Sequence, residues 1–255
     1  MITTRGLNAD RLSAADFVAE LRAEARRLRI DPGLAQNLKY GKADLVHVRR
    51  WAKDYFRYIE HDPQATAATL ARCLDRELFL ELSGHLARKT GFFQTANALE
   101  LYRKFTTALG IAEHDLDAHY ACAETLGAMF TKRSFQHSSF LEGFVASSLV
   151  SEGALSEATG DDAPFLCQKG FAEYLRRSYS LPEGATDYWR AYEDFRSLDG
   201  ERGWQIITRL AVDGSSQAAI RRAFRHTLSV YQSMRNAWSQ LIAGSYWDAE
   251  IVWGR

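Results

Sequence analysis

His85 and Lys89 stand one helical turn apart, so one face would carry an imidazole that titrates near neutrality and a primary amine. A lysine that loses solvent beside another cation becomes a base or an amine nucleophile, whereas a solitary histidine on a helix is ordinarily a core or surface residue. Tyr55 and Tyr58, and later Tyr188 and Tyr192, recur at three- and four-residue spacing. They would either line an aromatic cavity or simply fill a core, since aromatic rings dominate interior packing. Asp199 and Arg202 also lie one turn apart. His114, His119 and His137 lack the i, i+4 spacing with which one helix holds a metal. The run Ser147-Ser148-Leu149-Val150-Ser151 has no nucleophile elbow and reads as small residues that let helices approach closely.

Positioning these groups falls to helices. A first helix is predicted over about 14–29, with Ser13 as N-cap and Asp16 completing a capping pattern ahead of the stripe Phe17, Val18, Leu21 and Leu28. A second runs over about 45–60 behind Asp44, with Trp51, Tyr55 and Tyr58 on one face. Pro63 opens a third, which reaches Gly91 with a break around Leu74-Asp75. Further helices are predicted over about 95–109, 116–130, 139–157, 164–179, 186–212 and 216–242. No segment alternates as a strand does, so the fold class is all-α. The chain reads as one domain over 1–255, with a tail from about 244 that carries Trp247 and Trp253.

Composition narrows the function classes. With 255 residues, 46% of them hydrophobic and 25% charged, the chain can bury one full core. Acidic and basic residues balance at 32 each, which argues against nucleic acid or an anionic membrane as partner. The pairs Arg26-Arg27, Arg49-Arg50, Arg176-Arg177 and Arg221-Arg222 read as solvated helix faces. Cys73, Cys122 and Cys167 are odd in number and widely spaced, which fits a reducing, cytoplasmic setting, with Cys73 as a small buried residue. No signal peptide and no membrane span are expected. A small-molecule ligand is the expected partner, with a homodimer left open.

Residues 41–111 carry Trp51, the pair Phe56 and Tyr58, the runs Ala67-Ala68 and Leu70-Ala71, and Cys73-x-Asp75-Arg76-Glu77; Tyr188, Asp199-x-Glu201 and Gly203 follow later. In these features the chain resembles the haem-oxygenase-like superfamily, and within it pyrroloquinoline quinone synthase, the TenA-like proteins and the related di-iron oxidases. The resemblance implies a single-domain helical bundle and oxidative chemistry on an amino-acid-like or quinone-like substrate. It also places functional positions. The quinone synthase's histidine near the end of the third helix falls on Lys89, its tyrosine is kept as Tyr188, the arginine one turn on falls on Tyr192, and a later histidine falls on Arg202. The iron-binding cluster of two histidines and an aspartate becomes Phe195, Asp199 and Arg202. The third-helix carboxylate becomes Lys89 or Thr90, the fourth-helix histidine falls near Asn97, and Glu152 is the acid left in the sixth helix. Two acids without an imidazole do not hold two irons, so neither metal nor other cofactor is expected.

The inherited frame would bring Lys89, Tyr188 and Arg202 together as catalytic groups, with Tyr55, Tyr58, His85, Glu152, Tyr192 and Asp199 as binding residues. Such a site would take an anionic or zwitterionic small molecule. The competing reading is an internal ion-pair network that fills the space of a vanished metal cluster. Two functions follow: an atypical oxidative enzyme of specialised metabolism, or a non-catalytic relative that binds a ligand or partners an oxidase.

Overall fold

The computed structural model describes residues 11–28, 33–91, 97–147, 154 and 170–246, and within them not the side chains of Ala35, His85, Arg88, Lys89 and residues 192–200. Among the described residues the structure is helices and their connections, without a strand. The helices are α1 (Ala14–Ala25), α2 (Gly33–Lys39), α3 (Leu45–Glu60), α4 (Asp62–Leu70), α5 (Arg76–Thr90) and α6 (Ala98–Ala108). They continue with α7 (Glu113–Asp117), α8 (Ala123–Ser138), α9 (Phe140–Phe144), α10 (Phe171–Ser178), α11 (Asp187–Leu210) and α12 (Gly214–Ala243).

Most starts follow the capping residues. The Ser13 hydroxyl accepts the Asp16 N–H at 3.1 Å, while Asn97 and Asp213 cap α6 and α12 with their side chains. Asp44 precedes α3 but its side chain makes no capping bond. The break expected around Leu74-Asp75 divides the third helix in two: the Asp75 carboxylate accepts the N–H groups of Glu77 and Leu78 at 2.9 and 3.0 Å and restarts the helix at Arg76. The expected fifth helix is likewise two: the chain leaves α7 at Ala118 and turns the Cys122 N–H onto Asp54 before α8 begins. The short α2 is an addition that seven residues between Pro32 and Tyr40 were too few to announce.

Two apolar cores lie along the bundle. One gathers Trp51, Tyr55, Tyr102, Trp189 and Trp238 from α3, α6, α11 and α12. The other gathers Phe17, Leu21, Leu82, Phe144, Trp204 and Phe224 from α1, α5, α9, α11 and α12. Leu228 packs against both. Helix α12 runs through the two and packs on α1, α2, α3, α8 and α9. Near the junction of α4, α8 and α9 the backbones are so close that a Cβ on Gly143 would stand 2.9 Å from the Thr69 hydroxyl. Cys73 is half-buried, not buried as the sequence suggested.

Candidate functional site

The tyrosine stripe on α3 meets the start of α11. Tyr55 and Tyr188 bring their hydroxyls to 3.3 Å inside the core, where both residues are buried. The Tyr102 ring stands edge-on to Tyr188 with centroids 4.9 Å apart, and its hydroxyl donates to the Ala52 carbonyl at 2.9 Å. Burial holds the Tyr188 phenol well above the usual phenol range, and the neighbouring Tyr55, Tyr102 and the Asp62 carboxylate add to the effect. Tyr102 is raised for the same first reason. The Tyr188 and Tyr102 phenols are therefore neutral at physiological pH and serve as hydrogen-bonding groups.

Beside this cluster lies a cavity of about 450 Å³ between α4 and α8. Its polar wall includes Tyr58, Asp62, Lys132, Arg133 and Gln136, and Ala65, Leu126 and Met129 are among its apolar residues. The Lys132 ammonium donates to Asp62 and lies 5.2 Å from the centre of the Tyr58 ring. Its side chain is 8% exposed and that of Asp62 is 23% exposed. Gln136, one turn beyond Lys132, donates to the buried Ser147 hydroxyl at 2.7 Å, which fixes this wall against the turn after α9. The cavity therefore presents both charge signs beside an aromatic face, the complement of a small zwitterion.

A buried carboxylate, Asp54, lies one turn before Tyr58 on α3. Asp54, 1% exposed, accepts the Cys122 N–H at 2.7 Å, the Trp238 indole N–H at 2.7 Å and the Thr125 hydroxyl, with His119 Nε2 at 3.4 Å. Burial alone would raise its pKa, but the hydrogen bonds from His119, Thr125, Cys122 and Trp238 outweigh it and hold the carboxyl below its usual range. The Cys122 thiol is pushed up to about 12 by burial and the Asp54 charge, so this Cys-His-Asp grouping holds no thiolate nucleophile at neutral pH. Trp238 in turn packs on Tyr55 and Tyr58, at 5.2 and 5.8 Å between ring centroids.

The remaining expected site residues are dispersed or lie beyond description. Arg202 is at the surface of α11, 42% exposed, and its guanidinium grips both oxygens of Glu81 on α5. Glu81 and Gln205 surround it, and neither Tyr55 nor Tyr188 does. Thr90 bonds back to Leu86 and Ala87 of its own helix, and Asn97 is occupied as the cap of α6. Lys89 and His85 are on α5 and Tyr192, Phe195 and Asp199 on α11, but their side chains lie outside the described residues, as does all of Glu152. At Arg202, where the resemblance puts an imidazole ligand, a permanent cation holding a carboxylate offers no lone pair to a metal, so the residues present do not fit a di-iron centre there. Among the described residues no group of three or more His, Cys, Asp or Glu is placed to hold a metal ion. Because the Arg202–Glu81 pair is solvent-exposed, Arg202→Ala should cost only about 0.2–1 kcal/mol in chemical denaturation.

Lys132, Asp62 and Asp54 were not singled out in the sequence. The i, i+4 pair Lys132 and Gln136 was a usable signal, hidden by ending the expected helix near 130 when α8 continues to Ser138.

Residues 33–158 match the model of the TENA/THI-4/PQQC family. A stretch of 85 residues is 31% identical to the 4-aminobenzoate synthase of Chlamydia muridarum; it covers 32% of this chain and 35% of that protein, so about a third of the relative's length is matched. Among solved structures, a TenA homologue from Pseudomonas syringae aligns over 94% of this chain and 100% of its own, with a TM-score of 0.67 at 14% identity. A CADD-like protein of unknown function from Nostoc punctiforme aligns over 90% and 98%, with a TM-score of 0.66 at 11% identity. A domain with a haem-oxygenase-like fold from Shewanella denitrificans aligns over 91% and 94%, with a TM-score of 0.64 at 10% identity.

Proposed function

We propose that this chain, whose fold is haem-oxygenase-like and whose residues 33–158 match the TENA/THI-4/PQQC family model, is an enzyme acting on a small zwitterionic, amino-acid-like molecule in biosynthesis, by oxidative chemistry and without the usual di-iron site. The observation that carries this reading is the Lys132–Asp62 pair, its lysine buried, in the wall of a cavity beside Tyr58. A ligand carboxylate would take Lys132, a ligand ammonium would take Asp62, and the Tyr58 ring would cover the ligand body. The Tyr188 phenol lies outside this wall, in the core behind it, where it bonds Tyr55. The likeness of 85 residues to a 4-aminobenzoate synthase supports a substrate with an aromatic ring and a carboxylate.

The test is titration of the full chain with tyrosine, 4-aminobenzoate, tyramine and phenylpropionate, with oxygen uptake followed in parallel. Tyrosine should bind more tightly than tyramine, which lacks the carboxylate, and phenylpropionate, which lacks the amine. Saturable binding by none of them would overturn the reading. Lys89→Met, assayed alongside, tests the amine that the resemblance singles out. Protein from iron-replete cells should contain well under one iron per chain by elemental analysis, since Arg202 displaces a ligand position. The exposed Arg202–Glu81 pair favours a second reading, a ligand-binding relative without turnover, for which binding would occur with no oxygen uptake.

A further inference from the structure

Trp51, Trp189, Trp204 and Trp238 are the buried tryptophans among the described residues. The indole N–H groups of Trp51, Trp189 and Trp204 meet no hydrogen-bond partner. Trp238 differs. Its indole N–H points at Asp54 Oδ2, 2.7 Å away, and at the Thr125 hydroxyl, 3.0 Å away, with the residue 1% exposed. The difference bears on the loss of an electron. An indole that gives one up becomes a cation, and a cation inside a core is costly unless a negative group faces it. At Trp204 the Arg22 guanidinium stands 5.3 Å from the ring and would repel that charge. At Trp238 the Arg235 guanidinium opposes it in the same way from 5.7 Å, but the Asp54 carboxylate touches the indole nitrogen itself and acts from closer in.

The facing charge is fixed before any reaction begins. The Cys122 N–H and the Thr125 hydroxyl hold the Asp54 carboxylate in place, with His119 Nε2 at 3.4 Å, and together they keep it ionised. A carboxylate so well supplied with donors has little tendency to take the indole proton. Trp238 is also connected to the cavity. The Tyr58 ring stands edge-on to it, with centroids 5.8 Å apart, and lines the cavity that holds Lys132 and Asp62. Rings in such contact pass an electron without moving atoms. The Lys132 ammonium, 5.2 Å from the centre of the Tyr58 ring, makes Tyr58 a poor resting place for positive charge, so a hole that reaches Tyr58 moves on to Trp238.

We propose that Trp238 is a redox-active residue that supplies one electron to an organic peroxyl radical formed on the ligand in the Lys132–Asp62 cavity. The electron leaves the indole ring system, crosses Tyr58 and converts the peroxyl radical to a peroxide anion. That anion takes a proton from the Lys132 ammonium and becomes a hydroperoxide. Trp238 is left as a cation radical, with its N–H proton still on nitrogen and the Asp54 carboxylate against it. The step through Tyr58 rests on the oxidative reading proposed above, whereas the ease of oxidising Trp238 rests on its contact with Asp54.

The test oxidises the full chain, without ligand, by flash-generated tris(bipyridyl)ruthenium(III). Radicals are read by transient absorption and electron paramagnetic resonance. The wild type should form a tryptophan cation radical that outlives the one in Asp54→Asn by about tenfold, because a neutral amide replaces the facing charge. Trp238→Phe should abolish the long-lived indole signal, and Trp204→Phe should leave it unchanged. Circular dichroism melts establish that each variant is folded. Should the Asp54 or Trp238 variant melt early, the wild type carries the test by peptide mass spectrometry after sustained illumination in air: oxidation should accumulate at Trp238 and spare the equally buried Trp204. A tyrosyl signal alone, an indole signal that survives Trp238→Phe, or oxidation centred on Trp51, Trp189 or Trp204 would each overturn the assignment. Because no ligand is present, the outcome is separate from the tyrosine titration: a chain that binds tyrosine but forms no Trp238 radical would lose the electron donor and keep the proposed function.

Discussion

Asp54→Ala should destabilise the protein by roughly 3–5 kcal/mol, the usual consequence of removing one member of a buried charged network. The Cys122 N–H, the Thr125 hydroxyl and the Trp238 indole N–H would all lose an acceptor, the last two in buried positions. For a chain of this size the fall in Tm should be about 6–20 °C. Asp54→Asn should cost less, because it keeps one acceptor oxygen but turns an amide donor toward other donors. The same carboxylate sets a pH dependence. Its folded pKa is depressed, so its contribution is present in full above the unfolded value of about 3.9 and is lost as pH falls through the folded value. Urea melts of wild type and Asp54→Asn at a series of pH values from 7 downward should therefore converge at acid pH. Parallel curves would show that Asp54 carries no such linkage.

Lys132→Met should have the second largest effect, on stability and ligand binding together. The methionine keeps the apolar stem in the wall of the cavity and removes the charge, so Asp62 loses its partner. Because Asp62 is 23% exposed and reaches water, the cost should be about 2 kcal/mol, below the figure for a fully sealed pair. The variant should remain folded and lose at least tenfold in affinity for the zwitterionic ligand. Adding Asp62→Leu should restore stability without restoring binding, and the double-mutant cycle separates the pair from the pocket. A variant that binds tyrosine as well as wild type does would remove Lys132 from the site.

The fold was legible because apolar spacing and punctuation are local. Ser13 with Phe17, Val18 and Leu21 announced α1, and Trp51 with Tyr55 announced the buried face of α3. The break around Leu74-Asp75 was legible, because the Asp75 cap is local, whereas the one before α8 was not, since the Cys122 N–H turns to Asp54 on another helix. The tyrosine pair was readable from spacing, and Tyr55 does meet Tyr188. Arg202 was placed by a resemblance that preserves position but not surroundings, and Glu81 across the helix interface decides where its charge goes.

Helix α12 contributes Ile220 and Phe224 to one core and Met234 and Trp238 to the other, and it holds α1 through the Arg221–Glu20 bond across 201 positions. During synthesis at about 5–20 residues per second, α1 and α3 would leave the ribosome some 10–40 s before the helix that covers them. Neither core can close in that interval, and the aromatic faces of Trp51 and Tyr55 have no α12 to rest on. The two halves are thus expected to fold late and nearly together, once α12 has been made.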